Sequence, residues 1–529
     1  MLTDARSQAI GSVVEADICV VGAGPAGITI ARGLASTGAH VLVLESGGTT
    51  FEKDLMKLTE GESVGHPYPP LFESRARVFG GTSQFWPEDR AMRARPLDPI
   101  DFADRSDIPY SGWPIDATEL DRFYKQAQEI GQLGAWGYSA EDSADPDSGP
   151  VLDIAGEDVH TAMFRFAPGI EVFPGYLDEL RASDTVEVMH HANVVELVSG
   201  TGDHVDHLEV VGLWNTAFQV RALIVVLAAG GIENARLLLA SRGSDPAGLG
   251  NSNDLVGRFF MEHLHVQSGL LLPRDPALAD WLGRYEIHGQ APERTVAVLV
   301  ASEAALRREG ILNNAVYLKP IVSDSASSTY RSLEVVAKSI LQRSAPDDEN
   351  LGDHLRNLAR HPVDAARIGM RRLTKRSYGS TVVQLTIQGQ QAPNPASRVT
   401  LSGYEDPLGF PKARLDWQLS DIDLKSIRGI QEILRDSLAA SGLGRVEDLY
   451  GDSAPPPPIR GHWHHMGTTR MSTDSEAGVV DPNGRMHQVD NVYVAGSSVF
   501  PTGGYVNPTL TVIAMAARLA EHLSETVAG

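Results

Sequence analysis

Cysteine is almost absent from the sequence, and its scarcity excludes several classes of protein. The 529 residues contain one cysteine, Cys19, so the chain can form neither a disulfide framework, nor a cysteine-based zinc cluster, nor a C-x-x-C-H haem attachment site. Cys19 lies in the apolar run of residues 17–22 (DICVVG), where a small buried side chain is expected. Any electron relay through haem would therefore belong to another molecule.

Basic residues are outnumbered, and long apolar runs are missing. Lys and Arg total 45 against 68 Asp and Glu, and the resulting net charge of −23 repels nucleic-acid phosphates. No apolar stretch approaches the ~20 residues that cross a bilayer, and residues 1–17 contain no apolar signal core or twin arginine. These absences predict a cytoplasmic protein with neither a nucleic-acid nor a membrane partner. A chain of this length is expected to form two domains.

The N-terminal stretch has the pattern of a βαβ unit. Residues 17–21 are a short β-branched run, residues 28–34 are apolar with helical period, and residues 41–44 form a second apolar run. A dinucleotide binds at the amino terminus of the helix in such a unit, because unpaired N–H groups and the helix dipole favour phosphate there.

Three glycines and one acid complete this pattern. Gly22 suits a tight turn, Gly24 allows the backbone to approach a pyrophosphate, and Gly27 allows the helix to pack on the strand. Glu45 ends the second strand about 20 residues on, where a carboxylate can accept both ribose hydroxyls. Together these residues predict a dinucleotide-binding domain.

Distant segments are predicted to join that domain. Residues 222–227 and 491–496 are continuous apolar strands of the parallel-sheet type, and each precedes a helix, ending near Leu239 and spanning residues 510–523 respectively. The fold class is therefore α/β. We assign residues 1–135, 160–259 and 450–529 to a discontinuous Rossmann-like cofactor domain, and residues 260–449 to a substrate-binding domain, with 136–159 as a loop near it.

The substrate-binding domain is predicted to contain a mostly antiparallel sheet plus helices. Residues 381–388 and 398–401 alternate in polarity as strands of such a sheet do. The charged segment 323–376 could be a lid or an oligomer contact, and the sequence does not choose between them. Residues 455–458 are four prolines that form a stiff spacer.

A second glycine turn, Gly80-Gly81-Thr82-Ser83, is followed by Trp86. Small residues and hydroxyls of this kind can hydrogen-bond a pyrophosphate or a flavin through the backbone. Alone, the motif would be an unremarkable turn. Beside a dinucleotide-binding domain, it is a candidate second contact with the cofactor.

Several motifs near the C-terminus and along the chain occur together in order. They are HWHHMGTTRM at 462–471, GVVD at 478–481, NVYVAGSSVFPTGG at 491–504 and NPTLT at 507–511, together with SGWP at 111–114, VGR at 256–258 and PNP at 393–395. With these motifs the chain resembles the glucose-methanol-choline (GMC) family of FAD-dependent alcohol oxidoreductases. The resemblance implies a Rossmann-like FAD-binding domain of the GMC and p-hydroxybenzoate-hydroxylase type.

The resemblance places the family's active-site pair at His464 and Asn507. A histidine and asparagine pair resembles the pyranose-oxidase and cholesterol-oxidase branches more than the glucose-oxidase branch, and the active-site pattern is closest to the pyranose oxidase and glycoside 3-oxidase branch. An imidazole with an ordinary pKa of about 6.5 can take the proton of an alcohol near neutral pH. The asparagine amide can hold the alcohol oxygen as negative charge develops on it.

The resemblance also implies which residues hold FAD and how. The implied contacts are Gly22, Gly24, Gly27, Glu45, Ser46, Gly80, Gly81, Thr82, Ser83, Trp86, Val194, Ala229, Gly230, Gly496, Asn507 and Thr509. In the pyranose-oxidase branch a histidine just before the tryptophan that follows the glycine turn binds FAD covalently, and Phe85 stands at that position here. FAD is therefore expected to be noncovalent.

His462 and His465 flank the proposed base. A metal is conceivable for such a cluster, but no nearby cysteine or paired carboxylate completes a site, and a metal would occupy the base. A role in the substrate pocket or in the structure is expected for both. Glu262, His263 and His265 raise the same question, which the sequence leaves open.

These observations predict that a secondary hydroxyl of a sugar or glycoside is oxidised to a ketone, with His464 as general base. Flavin N5 would accept the hydride, and oxygen or a quinone-type acceptor would reoxidise the flavin. A sterol or another hydrophobic alcohol is the alternative substrate. A flavoprotein lyase or binding module without redox turnover is the alternative of another class.

Overall fold

The structure is a computed structural model, and it describes most of the chain. The described residues are 1–86, 91–142, 149–212, 216–275, 278, 282–321, 332–333, 335–336, 351–362, 365–366, 382–449 and 458–528. Most of the segment 323–376, proposed as a lid or an oligomer contact, lies outside them, as do residues 455–457 of the proline spacer.

The strands are numbered in chain order. They are β1 (Leu2–Asp4), β2 (Val13–Val21), β3 (Val41–Leu44), β4 (Gly61–Gly65), β5 (Arg93–Ala94), β6 (Val159–Phe166), β7 (Val186–His190), β8 (Asn193–Val198), β9 (His207–Val211), β10 (Ala217–Leu227), β11 (His263–Pro273), β12 (Thr295–Ala301), β13 (Asn314–Ile321), β14 (Val382–Gln390), β15 (Arg398–Glu405), β16 (Pro411–Trp417), β17 (Gly444–Asp448) and β18 (Val492–Val494).

The helices are numbered in the same way. They are α1 (Pro25–Leu34), α2 (Pro99–Phe102), α3 (Asp121–Ile130), α4 (Leu177–Ala182), α5 (Glu233–Ala240), α6 (Glu303–Glu309), α7 (Leu351–Arg360), α8 (Asp421–Ala440) and α9 (Thr509–Ala528). Short 3₁₀ turns lie at Ala5–Ser7, Lys53–Thr59, Leu71–Glu73, Gly81–Phe85, Ala117–Leu120, Ala140–Asp142, Pro174–Tyr176, Leu282–Tyr285 and Ser497–Val499. No helix within the described ranges has the length and apolar character that crossing a membrane requires.

The first sheet confirms the Rossmann-like unit. Its strand order is β1-β7-β3-β2-β10-β9-β8, and β18 pairs with the carboxyl half of β10. Its central pairs, β7 with β3, β3 with β2 and β2 with β10, are parallel. All four residues of β3 are buried because helices and chain cover both faces of this part of the sheet. The N-terminal, middle and C-terminal pieces predicted from the sequence therefore meet in one sheet.

The second sheet is antiparallel throughout, in the order β17-β11-β14-β13-β12-β6-β5. It contains β5 and most of β6, which the sequence division placed with the cofactor domain. A third sheet, β15-β16-β4, pairs the predicted strand at Arg398 with residues near position 63. The α/β fold class with a mostly antiparallel second sheet is confirmed, whereas the exact domain boundaries stay a prediction.

Local sequence explains how the first βα unit forms. Pro25 starts α1, a position where its missing N–H costs nothing. α1 packs against α9 so closely that a Cβ on Gly33 would lie 2.7 Å from the Cβ of Ala520. This packing fixes the C-terminal helix, and with it the loop that precedes it, beside the glycine-rich turn.

Candidate active site

A cavity lies at the carboxyl ends of β2, β3 and β10. Its walls come from the glycine-rich turn, from residues 74–86 and 192–195, from the turn after β10, and from the C-terminal block. One end of the cavity reaches Glu45 and another reaches His464.

Three glycines leave space in this cavity for a bound molecule. A Cβ built on Gly24, Gly230 or Gly496 meets no atom within 4 Å, and all three residues line the cavity. Gly27 has the predicted packing role instead, because a Cβ there would lie 1.9 Å from the carbonyl oxygen of Gly22. The cavity therefore has a smooth cradle at the amino terminus of α1.

Glu45 lies buried at the ribose end of the cavity. Its carboxylate accepts hydrogen bonds from the backbone N–H of Ala23 at 2.9 Å and of Gly47 at 2.7 Å. Burial raises its pKa, while these two hydrogen bonds and the nearby Arg77 lower it. Since a carboxylate has about four acceptor positions, Glu45 can still accept the hydroxyls of a ribose.

A buried ionic cluster borders the cavity. Arg77 and Arg236 contact Glu233 at 3.0 and 3.2 Å, Arg75 also pairs with Glu233, and Arg236 contacts Asp406 at 2.8 Å. Three guanidinium groups and two carboxylates give a net charge of +1. Arg75, Arg77, Glu233 and Asp406 line the same cavity as the amino terminus of α1, where the helix dipole favours an anionic group such as a pyrophosphate.

These features fit FAD. Of the residues predicted to hold it, those that line the cavity are Gly22, Gly24, Glu45, Ser46, Gly81, Thr82, Ser83, Trp86, Val194, Ala229, Gly230, Gly496 and Thr509. Gly27, Gly80 and Asn507 do not line it. Gly80 instead donates its N–H to the carbonyl of Ala23 at 2.8 Å, which ties the second glycine turn to the first.

The structure brings the proposed catalytic pair together. The Nδ2 amide of Asn507 lies 3.2 Å from Nε2 of His464. Gln388, on β14, donates from Nε2 to Oδ1 of Asn507 at 3.3 Å and to the carbonyl of Tyr505 at 2.7 Å. Because Oδ1 of Asn507 accepts from Gln388, its Nδ2 group is the one that faces His464.

A second histidine determines the tautomer of His464. Nε2 of His263 lies 2.9 Å from the carbonyl oxygen of Gly504, so it must carry a proton and donate it. A neutral His263 then accepts at Nδ1, which lies 2.7 Å from Nδ1 of His464. His464 therefore carries its proton on Nδ1 and presents a lone pair at Nε2, the atom that faces Asn507.

Burial keeps both histidines neutral. It lowers the pKa of His263 to about 4 and the pKa of His464 well below its usual value, and the neighbouring imidazoles lower the pKa of His464 further. A neutral imidazole with a free Nε2 can accept a proton. The arrangement suits a general base that would react through Nε2 while His263 holds its other ring nitrogen, Nδ1.

Glu262 holds the turn on which this base stands. Its fully buried carboxylate accepts the backbone N–H groups of His464 at 2.9 Å, His462 at 3.1 Å and His263 at 3.2 Å, and it also accepts the hydroxyl proton of Tyr68. Burial raises its pKa to about 7, and the hydrogen bonds oppose that rise. The same carboxylate thus fixes both histidines of the pair described above.

His462 and His465 face different surroundings. Nε2 of His465 lies 2.9 Å from the hydroxyl oxygen of Tyr68, which ties this ring to the Glu262 network. His462 stacks on His265 with ring centroids 5.0 Å apart, and its buried Nδ1 has no hydrogen-bond partner among the described residues. His465 lines the cavity and His462 does not, and a contact of either residue with substrate stays a prediction.

Residues 393–516 match the family model for the GMC oxidoreductase C-terminal region, a match that includes the proposed base and its amide partner. This match identifies the C-terminal region of the chain as that of a GMC oxidoreductase. The chain is therefore an oxidoreductase similar to this family, and the cavity described above fits FAD.

Relatives of this protein have several activities. It is 24% identical to 2-methyl-1,2-propanediol dehydrogenase of Mycolicibacterium austroafricanum, over 97% of this chain and 96% of that protein. It is 34% identical to C-glycoside 3-oxidase of Microbacterium trichothecenolyticum, over 25% of each chain. Its fold is similar to that of pyridoxine 4-oxidase from Mesorbium loti, with a TM-score of 0.56, 19% identity, and coverage of 96% and 99% of the two chains.

Sequence reasoning did not find the functional parts of this site that depend on distant contacts. It singled out Glu262 and His263 without a role, since nothing local shows that they face the 462–464 turn. It did not weigh Tyr68 at all. The available signal was an acid, Glu262, directly before β11 and a histidine, His263, at the first residue of that strand.

Proposed function

We propose that this protein oxidises a secondary hydroxyl of a sugar or glycoside to a ketone, with noncovalent FAD as the hydride acceptor. The observation that carries the proposal is the unprotonated Nε2 of His464, which lies 3.2 Å from the Nδ2 group of Asn507, on a residue that lines the cofactor cavity. The proposed substrate is an alcohol because Asn507 can bind a hydroxyl oxygen and His464 can accept the hydroxyl proton.

The residues divide the work on the substrate between them. Nδ2 of Asn507 donates to the hydroxyl oxygen and stabilises the negative charge that grows there, a contribution worth about 3–4 kcal/mol at comparable sites. Nε2 of His464 takes the hydroxyl proton. The C–H bond breaks with its electron pair as hydride, which FAD accepts when bound, and a C=O bond remains.

The substrate class rests on two supports. The histidine and asparagine pair resembles the pyranose-oxidase and glycoside 3-oxidase branch, and one relative by partial similarity is a C-glycoside 3-oxidase. A small diol is the second candidate, since one relative that matches nearly the whole chain is a 2-methyl-1,2-propanediol dehydrogenase. Oxygen or a quinone-type acceptor would reoxidise the flavin in either case.

Noncovalent attachment of FAD is proposed from the residue at position 85. Phe85 cannot form a covalent bond to the cofactor, and it is 42% exposed at the end of the Gly81–Phe85 turn. Acid precipitation should therefore release intact FAD into the supernatant. Flavin that stays with the precipitated polypeptide would contradict this part of the proposal.

Anaerobic flavin bleaching tests the function directly. The holoenzyme is mixed with a panel of pyranoses, glycosides, small diols and sterols, and the loss of flavin absorbance is followed without oxygen. We expect bleaching by a sugar or glycoside, its loss in His464→Ala with FAD still bound, and a smaller reduction in rate in Asn507→Ala. Bleaching only by a diol or sterol would overturn the substrate class, and near-normal bleaching by His464→Ala would reassign the base.

A further inference from the structure

Far from the catalytic pair, three potential metal ligands converge at the edge of the first sheet. Nδ1 of His190 lies 2.7 Å from Nδ1 of His191, and these atoms lie 3.6 and 3.3 Å from the two carboxylate oxygens of Asp4. The three residues offer ligand atoms that all lie within 4.8 Å of one another. β1 and β7 pair in parallel, with Asp4 opposite His190, so the sheet itself brings the ligands together.

A fourth residue determines which nitrogen of His191 is free. Oε1 of Glu52 lies 2.7 Å from Nε2 of His191, so a neutral His191 keeps its proton on Nε2 and donates it to Glu52. Its Nδ1 lone pair then faces Nδ1 of His190 and the Asp4 carboxylate, a space that either a cation or the Nδ1–H of a neutral His190 can fill. Histidines that bind metal commonly donate their other N–H to a carboxylate in this way.

We propose that Asp4, His190 and His191 bind one divalent transition-metal ion of the Zn²⁺ type, with Glu52 orienting His191. Two imidazole nitrogens and one carboxylate oxygen are ligands that such an ion accepts, and solvent can complete the coordination. The cluster is separate from the catalytic histidines, and the proposal does not depend on the proposed oxidation.

The backbone at this site is already shaped to converge the two imidazoles. His191, the residue after β7, has a positive φ of 59°. Its side chain therefore does not continue the alternation of β7, and its ring centroid lies 4.6 Å from that of His190. Its side chain is 5% exposed, against 17% for His190 and 26% for Asp4. A site with one buried and two half-buried ligands is open enough for an ion to enter.

The ion would fasten the N-terminal strand to the loop around Glu45. The N–H of His191 donates to the carbonyl of Gly47 at 3.0 Å, and the next residue, Ala192, donates to the carbonyl of Glu45 at 2.9 Å. The proposed ligands thus lie one hydrogen bond away from the residues that surround the ribose end of the cofactor cavity. Metal binding should stabilise both β1 and the bound FAD.

Neighbouring groups can satisfy the same ligand atoms when no metal is bound. Arg6 contacts both carboxylate oxygens of Asp4, with Nε at 3.0 Å from each. Without a metal, a neutral His190 can donate its Nδ1–H to Nδ1 of His191 instead, since these atoms lie 2.7 Å apart. The two states differ in metal content, so a binding measurement separates them.

Cobalt binding to the holoenzyme tests the proposal. The protein is purified without a polyhistidine tag, dialysed against a chelator and then chelator-free buffer, and titrated with Co²⁺ while its visible absorption is recorded. We expect one Co²⁺ per chain with d–d bands, displacement by Zn²⁺, and a higher midpoint of thermal unfolding with Zn²⁺. In His190→Gln and Asp4→Ala the affinity should fall more than tenfold, and in Glu52→Gln by about 10–100-fold.

His207→Gln is the matched control, because His207 is also 17% exposed, pairs with a carboxylate, and lies on a strand of the same sheet. It should bind Co²⁺ like the parent protein. Should Asp4→Ala fail to fold, His190→Gln alone decides. No stoichiometric Co²⁺ binding, binding unchanged in His190→Gln, or binding lost only in His462→Gln would each overturn the proposal, the last by placing the ion in the active site.

Discussion

Replacing His263 with leucine should impair the proposed base, His464, without altering His464 itself. The change removes the only acceptor that the structure gives to Nδ1 of His464 among the described residues, at 2.7 Å, while it keeps the volume of a buried side chain similar. His464 would then no longer be held in the tautomer with its proton on Nδ1. The Nε2–H tautomer could instead donate toward the amide oxygen of Asn507, once that amide turns over.

The magnitude follows from the lost hydrogen bond. A buried donor left without a partner costs about 1–3 kcal/mol, and 1.36 kcal/mol is a factor of ten in population. The reactive tautomer of His464 should therefore become about 5- to 160-fold rarer. The maximal rate of flavin reduction should fall by the same factor, with little change in substrate affinity.

His263→Asn is the matched variant, because its side-chain oxygen can stand where Nδ1 of histidine accepts. Both variants lose the bond to the carbonyl of Gly504, so the difference between them isolates the acceptor that faces His464. Rapid mixing without oxygen measures the rate of flavin reduction, and ¹⁵N spectra of the histidine rings report the tautomer of His464 independently of substrate. Equal rates in the leucine and asparagine variants, or an unchanged Nδ1–H tautomer in His263→Leu, would refute the reasoning.

Three further predictions concern the cofactor cradle, the Glu262 network and pH. Gly24→Ala should fold but release FAD more readily, whereas Gly27→Ala, whose Cβ would lie 1.9 Å from a carbonyl oxygen, should lower the unfolding midpoint of the apoprotein; equal midpoints would contradict this difference. Glu262→Ala should destabilise the protein by several kcal/mol, about 1–3 for each unpaired N–H, and urea unfolding should show a much smaller loss for Glu262→Gln, which keeps one acceptor oxygen. Burial lowers the pKa of His263 to about 4 and of His465 to about 3. The free energy of unfolding should therefore fall by about 2–3 kcal/mol per histidine as the pH drops from 6.5 toward 4.5. The raised pKa of Glu262 offsets about one such contribution, and a free energy of unfolding that stays constant between pH 7 and 4.5 would argue against these shifts.

The cofactor unit could be predicted well because its signals are local. The turn at Gly22, the packing contact at Gly27 and the acid at Glu45 lie within 24 residues of each other, and each obeys a backbone rule that residue type reveals. The C-terminal strand and helix also appeared near their predicted positions, since apolar runs of this kind have few alternatives in a parallel sheet.

Strand partners were harder to predict. β5 has two residues and too little pattern to be recognised, and β6 pairs with β12 more than 130 residues away. β4 joins β16 in a parallel pair that no local signal announces. Pairing over such distances is decided by which surfaces the whole chain buries, so a division into domains by sequence number cannot reproduce it.

The same reasoning explains why the sequence predicted the proposed reacting residues but not the residues that the structure places around them. His464 and Asn507 are 43 residues apart in one block, whereas His263 contacts His464 across 201 residues and is the first residue of β11. Gln388, from the neighbouring strand β14, orients the amide of Asn507. The proposed base therefore stands on the cofactor side of the molecule while its proton position is determined from the second sheet. Substitutions in that sheet that leave FAD binding intact should still change the rate of hydride loss from substrate, because they act on the tautomer and not on the cofactor.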